Sequence, residues 1–186
     1  MSLVLASSSP RRKKLLEDGG FTFEIEKPNY DEKNLRLSSP EIYTMQLALQ
    51  KAMSVKKRRP EDTVVAVDTV VVLDDEILGK PKDREQAEKM LLAMKGQTHR
   101  VISGYAILGA ENYVDYDQSF VHFENFTEEQ MKAYLNRNTY MDKAGAYGVQ
   151  EIDEFNISVE GAMDTVIGMH VASIEKQLKG AGHEQR

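Results

Sequence analysis

The sequence predicts an α/β or α+β fold built on a mixed sheet, and three observations carry that prediction. Thr63–Leu73 (TVVAVDTVVVL) is a nearly unbroken β-branched run, the pattern of a strand covered on both faces. Thr98–Leu108 and Tyr113–Phe123 alternate apolar and polar residues about a turn at Gly109–Asn112, which reads as a long hairpin. Capped helical segments alternate with these strands along the chain, so helices and sheet must pack as layers.

Composition narrows the function. The 186 residues suffice for one good core or two small lobes, and 41% hydrophobic with 29% charged residues is an ordinary globular profile. A net charge of −6 argues against general nucleic-acid binding, which needs a broad basic surface. There is no cysteine, hence no disulfide, thiolate nucleophile or zinc–thiolate site. No signal peptide and no run long enough to span a membrane are evident, so a cytoplasmic location without membrane partners is the expectation.

Taken in order, Leu3–Leu16 (LVLASSSPRRKKLL) runs from a short strand through Ser7, Ser8 and Ser9 into a helix. Ser9 is a good N-cap, and Pro10 suits the first helical position, where a missing N–H costs nothing. Arg11, Arg12, Lys13 and Lys14 follow at the helix start, with Glu17 and Asp18 at its end before Gly19-Gly20. A helix N-terminus is a partial positive charge, so cations there are mildly unfavourable unless an anion joins them. Free backbone N–H groups, serine hydroxyls and two arginines describe a phosphate cradle. An exposed helix whose basic side chains reach into water fits the same residues. The motifs G-x-x-x-x-G-K-[ST] and G-x-G-x-x-G are absent, so which anion is meant stays open.

Phe21–Glu26 alternates and reads as a half-buried strand, followed by an irregular acidic stretch, Pro28–Leu37, containing Asp31-Glu32. Ser39-Pro40 starts a helix whose apolar face is expected at Ile42, Met45, Leu49, Ala52 and Met53. Lys51 lies at the edge of that stripe, and its spacing reads most simply as a surface lysine in a run ending KKRR. Asp68 and Thr69 interrupt the β-branched strand. A carboxylate there must meet a cation, a metal or strong donors, because unpaired burial costs several kcal/mol. Asp74-Asp75 turns the chain and Ile77–Lys82 returns it, with Lys80 held extended by the following proline.

Asp83 caps a helix burying Ala87, Met90, Leu91 and Met94, closed by Gly96. Thr127 and Gln130 form a capping box for the helix through Met131, Tyr134 and Leu135. Residues 142–150, DKAGAYGVQ, look too small and polar for a core element. The glycines around Tyr147 suggest close approach of backbone to a ligand or another strand, or a simple turn. A last helix is expected over Asp164–Leu178, with Gly180–Arg186 fraying. The four histidines share no ligand spacing. Basic helix start, lysines and Asp68 together describe a metal-assisted hydrolase or transferase for a small phosphate ester.

Four blocks carry a resemblance: Ala6–Arg12 (ASSSPRR), Ala66–Val71 (AVDTVV), Leu78–Pro81 (LGKP) and Asp142–Gln150 (DKAGAYGVQ). In this order and spacing they resemble the Maf family of nucleotide pyrophosphatases across nearly the whole chain, as a single domain over residues 1–186. The resemblance implies hydrolysis of a nucleoside triphosphate to monophosphate and pyrophosphate, and a role in clearing unusual nucleotides or in septum formation. It implies an ITPase/HAM1-like fold, a mixed sheet in two lobes around a cleft. It also implies a divalent cation, Mg2+ or Mn2+, and a homodimer. By position, Asp68 would be the proton acceptor. Arg12, Thr69 and Gln150 match the specificity positions of the branch acting on dTTP and UTP. Ser7, Ser8 and Arg11 would complete the cradle, Lys51 and Lys80 would face the phosphates, and Glu32 with Asp68 would hold the metal.

The chain departs from the family pattern at Gly161–His170 (GAMDTVIGMH), where His170 stands in place of a proline. That departure bears on the backbone before the last helix, the dimer contact or the base-pocket rim, and is expected to leave the phosphate chemistry alone. Two other readings fit the blocks: a nucleotide-binding division regulator with little turnover, and a pyrophosphatase for a modified guanine nucleotide.

Overall fold

The computed structural model describes residues 1–30 and 39–183. The sheet is mixed and has seven strands: β1 (Leu3–Leu5), β2 (Glu24–Ile25), β3 (Thr63–Leu73), β4 (Glu76–Leu78), β5 (Thr98–Leu108), β6 (Asn112–Phe123) and β7 (Ile157–Glu160). Their order is β2-β1-β3-β5-β6-β7, with β4 on β3. β1 runs parallel to both β2 and β3, while β3–β4 and β6–β7 are antiparallel. Six helices are described: α1 (Pro10–Asp18), α2 (Pro40–Lys56), α3 (Arg84–Met94), α4 (Glu128–Leu135), α5 (Met163–Ile167) and α6 (Val171–Gly180). The fold is therefore α/β with a mixed sheet, as the strand and helix patterns predict.

The chain forms two compact units. The first comprises Met1–Thr69, Ser103–Asp117 and Gly168–Arg186. Its strands alternate cleanly between two cores. Leu3, Leu5, Val65, Val67, Tyr105 and Ile107 face one side and bury Leu16 of α1 with Ile174 and Leu178 of α6. Val4, Ala6, Val64, Ala66, Ala106 and Leu108 face the other and bury Ala48, Ala52 and Val55 of α2. That second face is rich in alanine, which lets α2 lie very close to β5. A Cβ on Gly104 would fall 2.7–2.9 Å from backbone atoms of Thr44 and Met45.

Close approach also corrects the expected face of α2. Its buried residues are Thr44, Leu47, Ala48, Lys51, Ala52 and Val55, while Ile42 and Met53 are 46% and 47% exposed. The surface of Ala6, Ala66, Ala106 and Gly104 lets the backbone of α2 come close, and the stripe that meets it is rotated from the expected one, keeping Ala52 and turning Ile42 and Met53 outward. The strand expected at Phe21–Glu26 keeps only Glu24–Ile25 as ladder, with Phe21 buried in the core. The single last helix is two. Gly168, at φ +141°, breaks it between α5 and α6, a conformation that L side chains rarely adopt. The chain end is tied down through residue 183, where His183 Nε2 lies 2.8 Å from Thr63 Oγ1.

The second unit comprises Val70–Ile102 and Gln118–Ile167. Asp74 and Asp75 both take positive φ (49° and 63°), the left-handed pair of a two-residue hairpin between β3 and β4. Asp83 caps α3 and Thr127 with Gln130 makes the expected box on α4. The core gathers Leu91 and Met94 of α3, Tyr134 and Leu135 of α4, and the rings of Phe123, Phe126, Tyr147 and Phe155. Phe126 and Phe155 stack at 4.2 Å. Residues 142–150 are thus partly core, contrary to their polar look: Ala146, Tyr147 and Lys143 are all buried. Gly145 (φ +67°) sits against the Val71 methyls, 3.1 Å from where its Cβ would be, and its N–H donates to Gly79 O. Close approach to a strand is what the glycine serves.

Candidate active site

The first unit holds the residues of the expected phosphate cradle at the β1–α1 junction. Ser9 N–H donates to Ser7 Oγ at 3.1 Å, and Ser9 Oγ in turn accepts from Arg12 N at 3.5 Å. Ser7 is buried and Ser8 exposed, so one serine builds the loop while the next faces outward. The four cations then divide. Lys13 and Lys14 reach down the helix to Glu17 (3.6 Å) and Asp18 (3.0 Å), exposed pairs that relieve the unfavourable charge order. For these two lysines the water-facing reading holds.

Arg12 turns inward instead. Its Nε donates to the Gly168 carbonyl at 3.0 Å and its Nη2 to Thr69 Oγ1 at 3.0 Å. Thr69 Oγ1 donates to that same carbonyl at 3.1 Å and lies 2.8 Å from Ser103 Oγ. Burial lowers the Arg12 pKa from its ordinary value, Asp68 raises it and neighbouring Arg11 lowers it further. The divergent segment meets this network, because the Gly168 carbonyl accepts from both Arg12 and Thr69. His170, two residues on, lies 3.0 Å from Asp117 Oδ1 and 2.9 Å from Ser173 Oγ, fixing the entry to α6.

Asp68 projects from β3 beside this network and is ion-paired with Lys51 through Oδ1. The two side chains are only 15% and 11% exposed, so the pair is nearly dry. The Lys51 ammonium also sits 5.3 Å from the Tyr30 ring centroid. The simplest reading of its spacing, a surface lysine, is thus overturned. α2 packs on an alanine-rich face, and a lysine in its buried stripe reaches Asp68 rather than solvent. Ser103 and the Gly168 carbonyl were not singled out by the sequence. Ser103 is a polar residue inside an apolar strand, the same signal that marks Asp68, and it is 1% exposed.

The second unit holds Lys80 and Gln150, both exposed. The loop bearing Gln150 is anchored by Lys143, buried and ion-paired with Glu151 (3.0 Å) and Asp142 (3.0 Å). Tyr147 OH lies 2.6 Å from His99 Nε2, a contact between two buried side chains. Burial drives the His99 pKa down to about 4 and pushes the Tyr147 hydroxyl far above its ordinary value. Both groups stay neutral at neutral pH.

Among the described residues no group of three or more His, Asp or Glu side chains could enclose a metal ion. The proposed ligand Glu32 lies outside the described residues. Asp68 is a hard oxygen donor with only Oδ1 engaged by Lys51. A single carboxylate fits an ion of the magnesium type, which keeps several waters and completes its shell with substrate phosphates.

The family model described as Maf-like protein matches residues 2–181. The chain belongs to this Maf-like family. A dTTP/UTP pyrophosphatase of Clostridioides difficile (strain 630) is 39% identical over 183 residues, covering 96% of this chain and 94% of the relative. A second protein of that name, from Bacillus cytotoxicus, is 39% identical over 186 residues with 97% of each covered. Among solved structures, a nucleoside-triphosphatase / dITP/XTP pyrophosphatase from Mycobacterium abscessus aligns over 98% of this chain and 95% of its own, at 14% identity and a TM-score of 0.47. Among the described residues of this Maf-like chain, no helix is long and apolar enough to cross a membrane.

Proposed function

We propose that this Maf-like chain hydrolyses dTTP and UTP, and related pyrimidine nucleotides, to the monophosphate and pyrophosphate. The observation that carries the reading is Asp68, a carboxylate in an apolar strand, charge-balanced by Lys51 and followed at once by the Thr69–Arg12 network. The names of the 39%-identical relatives support the same substrates.

In this proposal the β1–α1 loop, with Ser7, Ser8 and Arg11, receives phosphate oxygens through hydroxyls, N–H groups and charge. Water adds to phosphorus, the anhydride P–O bond breaks, and the water proton passes to Asp68. Lys51 balances charge as it accumulates on the phosphate oxygens. Arg12 selects the nucleotide. By their sequence blocks, Lys80 takes a phosphate role and Gln150 a specificity role. Asp68, with phosphate oxygens, would hold a Mg2+ or Mn2+ ion, and a bound divalent ion supplies Lewis-acid neutralisation of phosphate charge. A homodimer, testable by sedimentation, belongs to the same proposal.

The test is pyrophosphate release from a panel of triphosphates with manganese present. Wild type releases it most efficiently from dTTP and UTP. Asp68→Asn loses turnover by about 10²-fold or more, the scale of a general base, while titration with dTTP still detects binding. Equal turnover by wild type and Asp68→Asn defeats the proposal.

A further inference from the structure

The Thr69 hydroxyl has one hydrogen and two lone pairs, and all three are accounted for by its neighbours. A backbone carbonyl only accepts, so the contact to Gly168 O at 3.1 Å takes the hydrogen. A guanidinium only donates, so the contact from Arg12 Nη2 at 3.0 Å takes one lone pair. Ser103 Oγ, at 2.8 Å, must then be the donor to the other. The Gly168 carbonyl is likewise doubly used, by Thr69 and by Arg12 Nε at 3.0 Å. The result is a closed ring that pins the Nε and Nη2 edge of Arg12. Among the described residues Arg12 Nη1 bonds to nothing, and with the second Nη2 hydrogen it forms a fork of the kind that reads planar acceptors.

Taking the proposed pyrophosphatase activity as its basis, we propose that Thr69 is a positioning residue for Arg12, held in donor polarity by Ser103 and the Gly168 carbonyl, and that within this ring only the Arg12 Nη fork contacts the nucleotide. Thr69 has no bond left for a base or sugar while the ring stands. Gly168 suits its part because its carbonyl direction comes from a φ of +141°. A Cβ there would meet nothing closer than 3.7 Å, so the requirement is conformational rather than spatial. Ser103 thereby becomes a specificity determinant that never touches substrate.

The test uses the full chain as wild type, Ser103→Ala, Thr69→Val, Thr69→Ser and the Ser103→Ala/Thr69→Val double variant. One readout is the ratio of kcat/KM for dTTP over dGTP. The other is the rotation rate of the Arg12 guanidinium about Cζ–Nε, from 15N NMR of nucleotide-free protein. Ser103→Ala and Thr69→Val each lower the ratio about fivefold, the scale of one neutral hydrogen bond. Thr69→Ser keeps the ratio, and the double variant is no worse than Thr69→Val. Both single losses also speed guanidinium rotation several-fold. Additive losses in the double variant, or rotation unchanged in Ser103→Ala and Thr69→Val, overturn the inference. If wild type releases no pyrophosphate from any triphosphate, the functional reading fails and the rotation rates alone decide the positioning. Should Ser103→Ala not fold, Ser103→Cys, a weak donor of similar shape, is measured the same way.

Discussion

Replacing Lys51 by methionine removes one charge from a nearly dry ion pair and leaves most of the packing volume in place. The Asp68 carboxylate then remains 85% covered, its side chain being 15% exposed, with no ammonium at Oδ1. Breaking a fully buried pair costs about 3–5 kcal/mol, whereas an exposed pair is worth about 0–1 kcal/mol. Exposures of 11% and 15% put this pair near the buried end, and residual access to water lowers the cost to about 2–4 kcal/mol. For a chain of this size that corresponds to a fall in Tm of roughly 5–15 °C. Urea unfolding of wild type, Lys51→Met, Asp68→Asn and the double variant forms a cycle that isolates the pair. The double variant, with no orphaned charge, should be more stable than the sum of the single losses predicts, by at least about 1 kcal/mol. A Lys51→Met loss below about 0.5 kcal/mol, or additive single losses, would refute the reasoning and return Lys51 to the surface.

Three further outcomes test the fold around the site. His99 is depressed to about 4 from 6.5, so between those values the unfolded chain binds a proton that the folded chain refuses. Stability therefore falls as pH drops from 6.5 towards 4, by about 3 kcal/mol from this group. Urea midpoints at pH 7 and 4.5 should diverge between wild type and His99→Gln, and parallel profiles would contradict it. Gly104→Ala drives a Cβ into backbone atoms of α2 at 2.7–2.9 Å, and calorimetry should find a loss of about 3 kcal/mol or more. Thr127→Ala removes one arm of the α4 capping box and should cost about 1 kcal/mol in the same measurement, without changing turnover.

The features legible in the sequence are those whose cause is local. Ser9, Asp83 and Thr127 each accept from an N–H three residues on, so a window of a few residues contains both partners. The β3 run and the β5–β6 hairpin are equally self-contained, because strand burial is written in β-branched composition and the turn in its own residues. The need of Asp68 for a partner was legible for a related reason. A carboxylate in an apolar strand demands a partner whatever the rest of the fold does.

What the tertiary structure decided is which groups answer that demand. Spacing alone reads Lys51 as solvent-facing charge, but the face of α2 that packs on the alanine-rich side of the sheet includes it. The break at Gly168 looked like the interior of one helix, yet its carbonyl closes the ring on Arg12 and Thr69 across 156 and 99 residues of sequence. Ser103 joins the same ring across 34 residues. Composition and periodicity report a residue's own preferences and those of its near neighbours. A hydrogen bond between distant segments depends on how two surfaces meet, and the identity of the residues fixes that only once they are packed.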